Sequence, residues 1–284
     1  MTTTVRTWGQ ALDYTWRVRW KRLPSAKTNR INADHITSYA GLSLPLSRMA
    51  KAGWWMEMIA DLQDDHPQWS TSTVNRVVSA GTTVLKVTSH AGLHSVECPS
   101  FKRLREGEVR MTYFTKEQVD RLAFVAKDIF DRDDLADAIT FSAYTGVRQG
   151  ELMALKSEDI DLSLETIWVG GKPGRETKGR NVRAVPIHPK VQAILQRRLD
   201  RSYLFRDDFS NKDQLYRAFK KVRDFCGISD DHVWHSLRHS FGTFLGEVTH
   251  PRQIMALMGH RNIETSLRYV KATDAALKSA IAGI

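Results

Sequence analysis

Residues 235–269 read HSLRHSFGTFLGEVTHPRQIMALMGHRNIETSLRY. His235 and Arg238 stand three positions apart, so on a helix both side chains lean over one patch. His260 and Tyr269 follow, after a glycine and an alternation of apolar and basic residues that predicts short helices. A buried core rarely gathers imidazoles, a guanidinium and a phenol. Attack on a phosphodiester calls for such a set: a nucleophile, proton carriers and fixed positive charge. His232, His235 and His239 also have a spacing that suggests zinc. No glutamate stands between the last two as in HExxH, so the pattern speaks against a metal site.

The whole chain is in keeping with an anionic partner. Its 284 residues suffice for one large domain or two modest ones. An apolar share of 42% and a charged share of 26% are those of an ordinary folded protein. The net charge of +10 and the pI near 9.7 favour a polyanion, nucleic acid first. Cys98 and Cys226 form no CxxC pair, which argues against a disulfide framework or a thiolate metal site. The N-terminal MTTTVRTWGQALDYTW lacks the apolar run of a signal peptide, and no apolar run approaches the roughly 18 residues that span a bilayer. A cytoplasmic protein with no membrane partner is expected.

Working back from residue 235, the chain divides by pattern. Trp8, Leu12 and Trp16 recur at helical spacing, and further helices are predicted at 27–39, at 49–62 and after a cap at Ser70 or Thr71. Residues 1–110 hold 15 Lys/Arg against 9 Asp/Glu, clustered in RVRWKR and KTNR, a mixture suited to phosphate contacts or to a solvated helix face. Periodicity lapses through PSFKRLREGEVRMTYF, and a capping box at Thr115 opens a new unit. Three segments are expected: a helical domain at 1–98, a linker at 99–113 and a catalytic domain with a C-terminal tail at 114–284. Within the last, helices at 135–144 and 149–155 precede two strands, 166–169 and 182–187, around the tip GGKPGRETKGRN. Helices resume at 189–199, 213–225 and from 235 onward. The fold class is mostly α with a small β-sheet.

Two upstream residues offer what the C-terminal stretch lacks. Arg148, in AYTGVRQGEL, follows a glycine that ends a helix and sits beside Glu151, a position that suits a cleft. Lys178, on the glycine-rich tip, could swing onto a substrate and protonate a leaving alkoxide. Taken singly, each reads as well as a surface cation.

Taken together, TGVRQGEL, the lysine hairpin ending in VPI, HSLRHSFGT and LMGHRNIETSLRY resemble the tyrosine recombinase (phage integrase) family, in its order and at its spacings. Tyr269 follows His260 by nine positions, and Lys178 precedes Val185 by seven. The resemblance implies a helical core-binding domain ahead of an α+β catalytic domain, closing as a C-shaped clamp on DNA. It makes Tyr269 the nucleophile, leaving a 3′-phosphotyrosyl bond and a free 5′-hydroxyl. Arg148 and Arg238 would clamp the phosphate, Lys178 would be the general acid, His235 would exchange a proton with the tyrosine, and His260 would hydrogen-bond the phosphate. Glu151 would support the arginine and histidine.

The implied activity is site-specific recombination through a Holliday junction, without metal or other cofactor, because the cations supply the charge that Mg²⁺ provides elsewhere. Implied partners are double-stranded recombination sites, a homotetramer in the synaptic complex and accessory proteins that bend DNA. The setting would be the cytoplasm of a bacterial host. The N-terminal unit resembles the core-binding domain more loosely, through STSTVNRVVSAGTTVLKV, and gives Lys27, Arg30 and Arg76 as DNA contacts. No arm-site domain is expected ahead of it, and the tail VKATDAALKSAIAGI would pack on a neighbouring protomer. A type IB topoisomerase shares the chemistry, and a non-catalytic DNA-binding regulator is the reading from another class.

Overall fold

A computed structural model describes residues 4–107, 111–172 and 182–270. It divides into two compact units, residues 1–109 and 110–284. The described residues are mostly helical, with one small antiparallel sheet.

The first unit is built from α1 (Trp8–Thr15), α2 (Ala26–Ala40), α3 (Leu46–Met49), α4 (Ala52–Asp65) and α5 (Thr71–His90). Thr7 caps α1 through a capping box with Gln10, and a wider π-helical turn, Trp16–Trp20, continues it. The predicted stripe buries Trp8 and Leu12, and the Trp8 indole donates to Thr37 Oγ1 at 2.8 Å. Trp55 lies at the centre of this core, donating to the Met49 carbonyl at 2.8 Å. Ser70 caps α5, which runs its full length despite valines, threonines and a glycine of low helix propensity. Packing overrides propensity there: ten of its residues are buried, and a Cβ on Gly81 would fall 2.6 Å from Ile36 and 2.7 Å from Trp55.

The stretch read as a linker has neither helix nor strand from 91 to 107, yet part of it is fastened to α4 and α5. Phe101 stacks on Trp55 with centroids 5.4 Å apart. Asn75 donates to the Leu104 carbonyl at 2.9 Å and to Glu106 at 3.0 Å, and accepts from the Leu104 amide at 3.2 Å. Arg103 bonds to Ser79 Oγ and, at 3.2 Å, to the Asn75 carbonyl.

The second unit opens with α6 (Lys116–Phe124), capped by Thr115 and Gln118, and α7 (Asp133–Thr145), a buried helix packed by α6. Next come α8 (Gln149–Leu152) and the strands β1 (Ile160–Asp161), β2 (Thr166–Val169) and β3 (Arg183–Pro186). The sheet runs β1-β2-β3, with Ile160 opposite Ile167 and Ile167 opposite Val185. β1, two residues long, has no period to be read from sequence, and α8 stops three residues short of the expected end. Then follow α9 (Pro189–Gln196), α10 (Lys212–Phe225), α11 (Trp234–Gly246), α12 (Pro251–Met258) and α13 (Ile263–Leu267), with α11 packed along α7. No helix among the described residues is long and apolar enough to cross a membrane.

Candidate active site

Arg148 owes its place to a helix stop. Gly146 closes α7 in the left-handed region at φ 64°, Val147 plugs the core, and Arg148 becomes the N-cap of α8. Its backbone amide donates to Glu151 Oε2 at 2.8 Å, and its guanidinium to Oε1 at 2.9 Å. The side chain remains 46% exposed, so it is steered by Glu151 yet open to a ligand.

Glu151 is shared with Arg183, a residue the sequence reading passed over. Arg183 is 3% exposed and grips both carboxylate oxygens, at 3.1 and 2.8 Å. Burial on its own would lift the Glu151 pKa, but the Arg183 fork and Arg148 outweigh it and hold the carboxylate at about 2. The signal was the alternation of β3, whose inward positions are Arg183 and Val185.

Arg238 projects from the second turn of α11, is almost wholly buried, and donates to the carbonyls of Gly146 and Met258. The Arg183 Nε donates to the neighbouring Leu257 carbonyl at 2.9 Å. Both guanidiniums are therefore seated on the C-terminal end of α12, where unpaired carbonyls and the helix dipole favour a cation. Among the described residues Arg238 has no ion pair. Burial, with Arg148 and Arg183 close by, pulls its pKa down to about 10.

The left-handed Gly259 ends α12 and delivers His260, whose Nδ1 is 2.8 Å from the hydroxyl of fully buried Ser266. Its ring lies parallel to that of Tyr269, centroids 6.0 Å apart. Burial and the three arginines lower the His260 pKa to about 4. Tyr269 follows α13, is 6% exposed, and sets its hydroxyl 2.8 Å from Nδ1 of His239. Burial raises the phenol's pKa against the downward pull of Arg238, Arg268 and Arg148. The ring lies against a bare stretch of α11: a Cβ on Gly242 would stand 2.5 Å from its Cε1.

The structure thus gathers Arg148, Glu151, Arg238, His260 and Tyr269 around one cluster. His235 sits beside it, exposed, its ring perpendicular to His239 at 4.8 Å, with its pKa lowered by partial desolvation, Arg238 and Arg148. The resemblance paired His235 with the tyrosine, whereas the imidazole in contact with the phenol is His239. Lys178 lies outside the described residues. His232 turns its Nε2 to the Tyr113 carbonyl at 3.2 Å, so the three histidines at zinc-like spacing serve different neighbours. In the first unit, Lys27 and Arg30 are exposed one turn apart on α2, and Arg76 is exposed on α5, which packs against α2. Arg30 pairs with Asp34 at 2.9 Å and lies 5.9 Å over the Trp16 ring.

The model of the phage integrase family matches residues 112–276. The tyrosine recombinase XerA of Thermococcus kodakarensis is 35% identical over 179 residues, which cover 58% of this chain and 60% of that protein. The tyrosine recombinase XerC of Staphylococcus saprophyticus is 28% identical over 148 residues, covering 47% and 48%. The chain thus spans about three fifths of the XerA it matches. A solved structure of the Tn1549 transposon integrase in complex with a circular intermediate DNA aligns with a TM-score of 0.76 at 19% identity, covering 99% of this chain and 100% of that one. A lambda integrase tetramer bound to a Holliday junction aligns with a TM-score of 0.73 at 16% identity, covering 94% and 78%. These two likenesses establish a shared fold.

Proposed function

Since this chain belongs to the phage integrase family, we propose that it is a site-specific DNA recombinase that cuts and rejoins DNA through a 3′-phosphotyrosyl intermediate and a Holliday junction. One observation carries the reading. Arg238 is a buried cation with no ion pair among the described residues, crowded by two further guanidiniums and set beside a phenol. A cluster with that imbalance is costly unless an anion completes it, and a DNA phosphodiester is an anion that the phenol can attack.

In this mechanism Arg148 and Arg238 hold the non-bridging oxygens and offset the charge that grows in the pentacoordinate transition state. Glu151 and Arg183 fix Arg148 beforehand, so little reorganisation accompanies the reaction. With Nδ1 accepting from Ser266, His260 carries its proton on Nε2 and presents it to the phosphate. Tyr269 attacks phosphorus, and the 5′-oxygen leaves with a proton from Lys178, a role that rests on resemblance alone. His235 contributes from the exposed rim.

Duplex DNA is the proposed partner, supported by the net charge of +10 and by the exposure of Lys27, Arg30 and Arg76. A homotetramer in the synaptic complex follows the likeness to the lambda integrase tetramer on a Holliday junction, while the tail at 271–284 lies outside the described residues. Accessory DNA-bending proteins and a bacterial cytoplasmic setting belong to the same proposal. The test is covalent trapping on a nicked duplex bearing the sequence that the chain enriches from a random duplex pool. Wild type should yield a denaturant-resistant adduct and Tyr269→Phe none. No adduct from wild type, or an adduct from the variant, would refute the reading.

A further inference from the structure

One side of α11 is shaped along the whole of Tyr269. His239, Gly242 and Gly246 stand at i, i+3 and i+7, a single stripe of the helix. His239 meets the hydroxyl at 2.8 Å. A Cβ on Gly242 would strike the ring at 2.5 Å, and one on Gly246 would strike the tyrosine's own carbonyl oxygen at 2.0 Å. The stripe is polar at the phenol's reactive end and bare everywhere else. His235, one turn earlier on the helix, has no hydrogen bond to the phenol among the described residues.

We propose that His239 is a catalytic residue that takes the proton of Tyr269 during attack and returns it during rejoining. The inference rests on Tyr269 being the nucleophile. As the bond from phosphorus to the tyrosine oxygen forms, the bond to the 5′-oxygen breaks. The phenol proton passes to Nδ1 of His239, making an imidazolium, while the departing oxygen takes its proton from the general acid. Rejoining reverses both transfers, so atoms and protons balance over a cycle. Burial, His235 and Arg238 keep the imidazole neutral at rest, with a pKa near 4, and so able to accept. The phosphate's negative charge, arriving among these cations, raises the proton affinity of His239 as the transfer begins. Perpendicular His235 at 4.8 Å and parallel His260 across the tyrosine keep the acceptor and phenol aligned.

The test compares wild type, His239→Ala and His239→Asn on the selected nicked duplex, once with a normal phosphodiester and once with a 5′-bridging phosphorothiolate. Asparagine places a hydrogen-bonding atom near the position of Nδ1 but cannot hold the proton. DNA affinity should be unchanged in both variants, measured by mobility shift. Adduct formation at saturating protein should fall about 100-fold in both. The loss should persist with the phosphorothiolate, whose sulfur leaves without a proton, because the defect lies in the nucleophile. Restoration by asparagine would reduce His239 to holding the phenol in place. Rescue by the phosphorothiolate would move its action to the leaving group, and an alanine variant within threefold of wild type would remove it altogether. Each result overturns the proposal. If wild type forms no adduct through Tyr269, the recombinase reading falls instead.

Discussion

Replacing Glu151 by glutamine keeps its shape and removes the one charge that balances Arg148 and Arg183. The carboxylate is held at about 2, against an ordinary 4.5, chiefly by the buried Arg183 fork after burial has worked the other way. Each tenfold of proton affinity is worth about 1.4 kcal/mol, so the ionised group contributes roughly 3 kcal/mol at neutral pH. Exposure of 15% leaves that figure little reduced by solvent. The folded pKa lies below the unfolded one, so this stability is complete above pH 4.5 and is lost as pH falls toward 2. At pH 3 about 1 kcal/mol should remain. Urea unfolding of the full chain, wild type against Glu151→Gln, measures the difference directly. A deficit of about 3 kcal/mol at pH 7 that shrinks to about 1 at pH 3 is expected. A glutamine variant within about 0.5 kcal/mol of wild type at pH 7, or a deficit that ignores pH, would show that the carboxylate does not bind the cluster as argued.

Gly242→Ala would put a methyl 2.5 Å from the Tyr269 ring, so cleavage should drop at least tenfold while DNA affinity holds; wild-type cleavage would mean that the ring has room to spare. Arg183→Met strips Glu151 of its fork and should cost about 3–5 kcal/mol in urea unfolding, with Arg183→Lys intermediate because an ammonium cannot grip both oxygens. Adjacent residues on α5 should behave in opposite ways. Asn75→Ala should lose about 1–3 kcal/mol and open residues 101–107 to protease, whereas Arg76→Ala should leave stability alone, weaken DNA binding and lessen its salt dependence. If the two exchange phenotypes, the division between scaffold and contact is mistaken.

What the sequence revealed followed from how local each cause is. Capping at Thr115 and Ser70, the left-handed stop at Gly146 and the apolar stripes are written in neighbouring residues, and the corresponding helices were legible. The site residues near the start of α11 and around Gly259 were legible for the same reason. Arg183 was not, because a cation in a strand reads as an outward residue unless the alternation is counted from Val185. Asn75, the neighbour of Arg76, carried no signal of its own, because the partners that turn it inward lie some 30 positions away in sequence. His239 drew notice as a spare histidine in a zinc-like spacing. Only the fold brings Tyr269, 30 positions on, to its ring.

The central claim is that the phenol of Tyr269 becomes joined to DNA. Its most direct test is mass spectrometry of the trapped complex after protease digestion, paired with end-labelling of the released strand. The expected result is a nucleotide-bearing peptide modified at Tyr269 through a 3′-phosphate, with a free 5′-hydroxyl on the other strand end. Attachment at any other residue, or through a 5′-phosphate, would contradict the account.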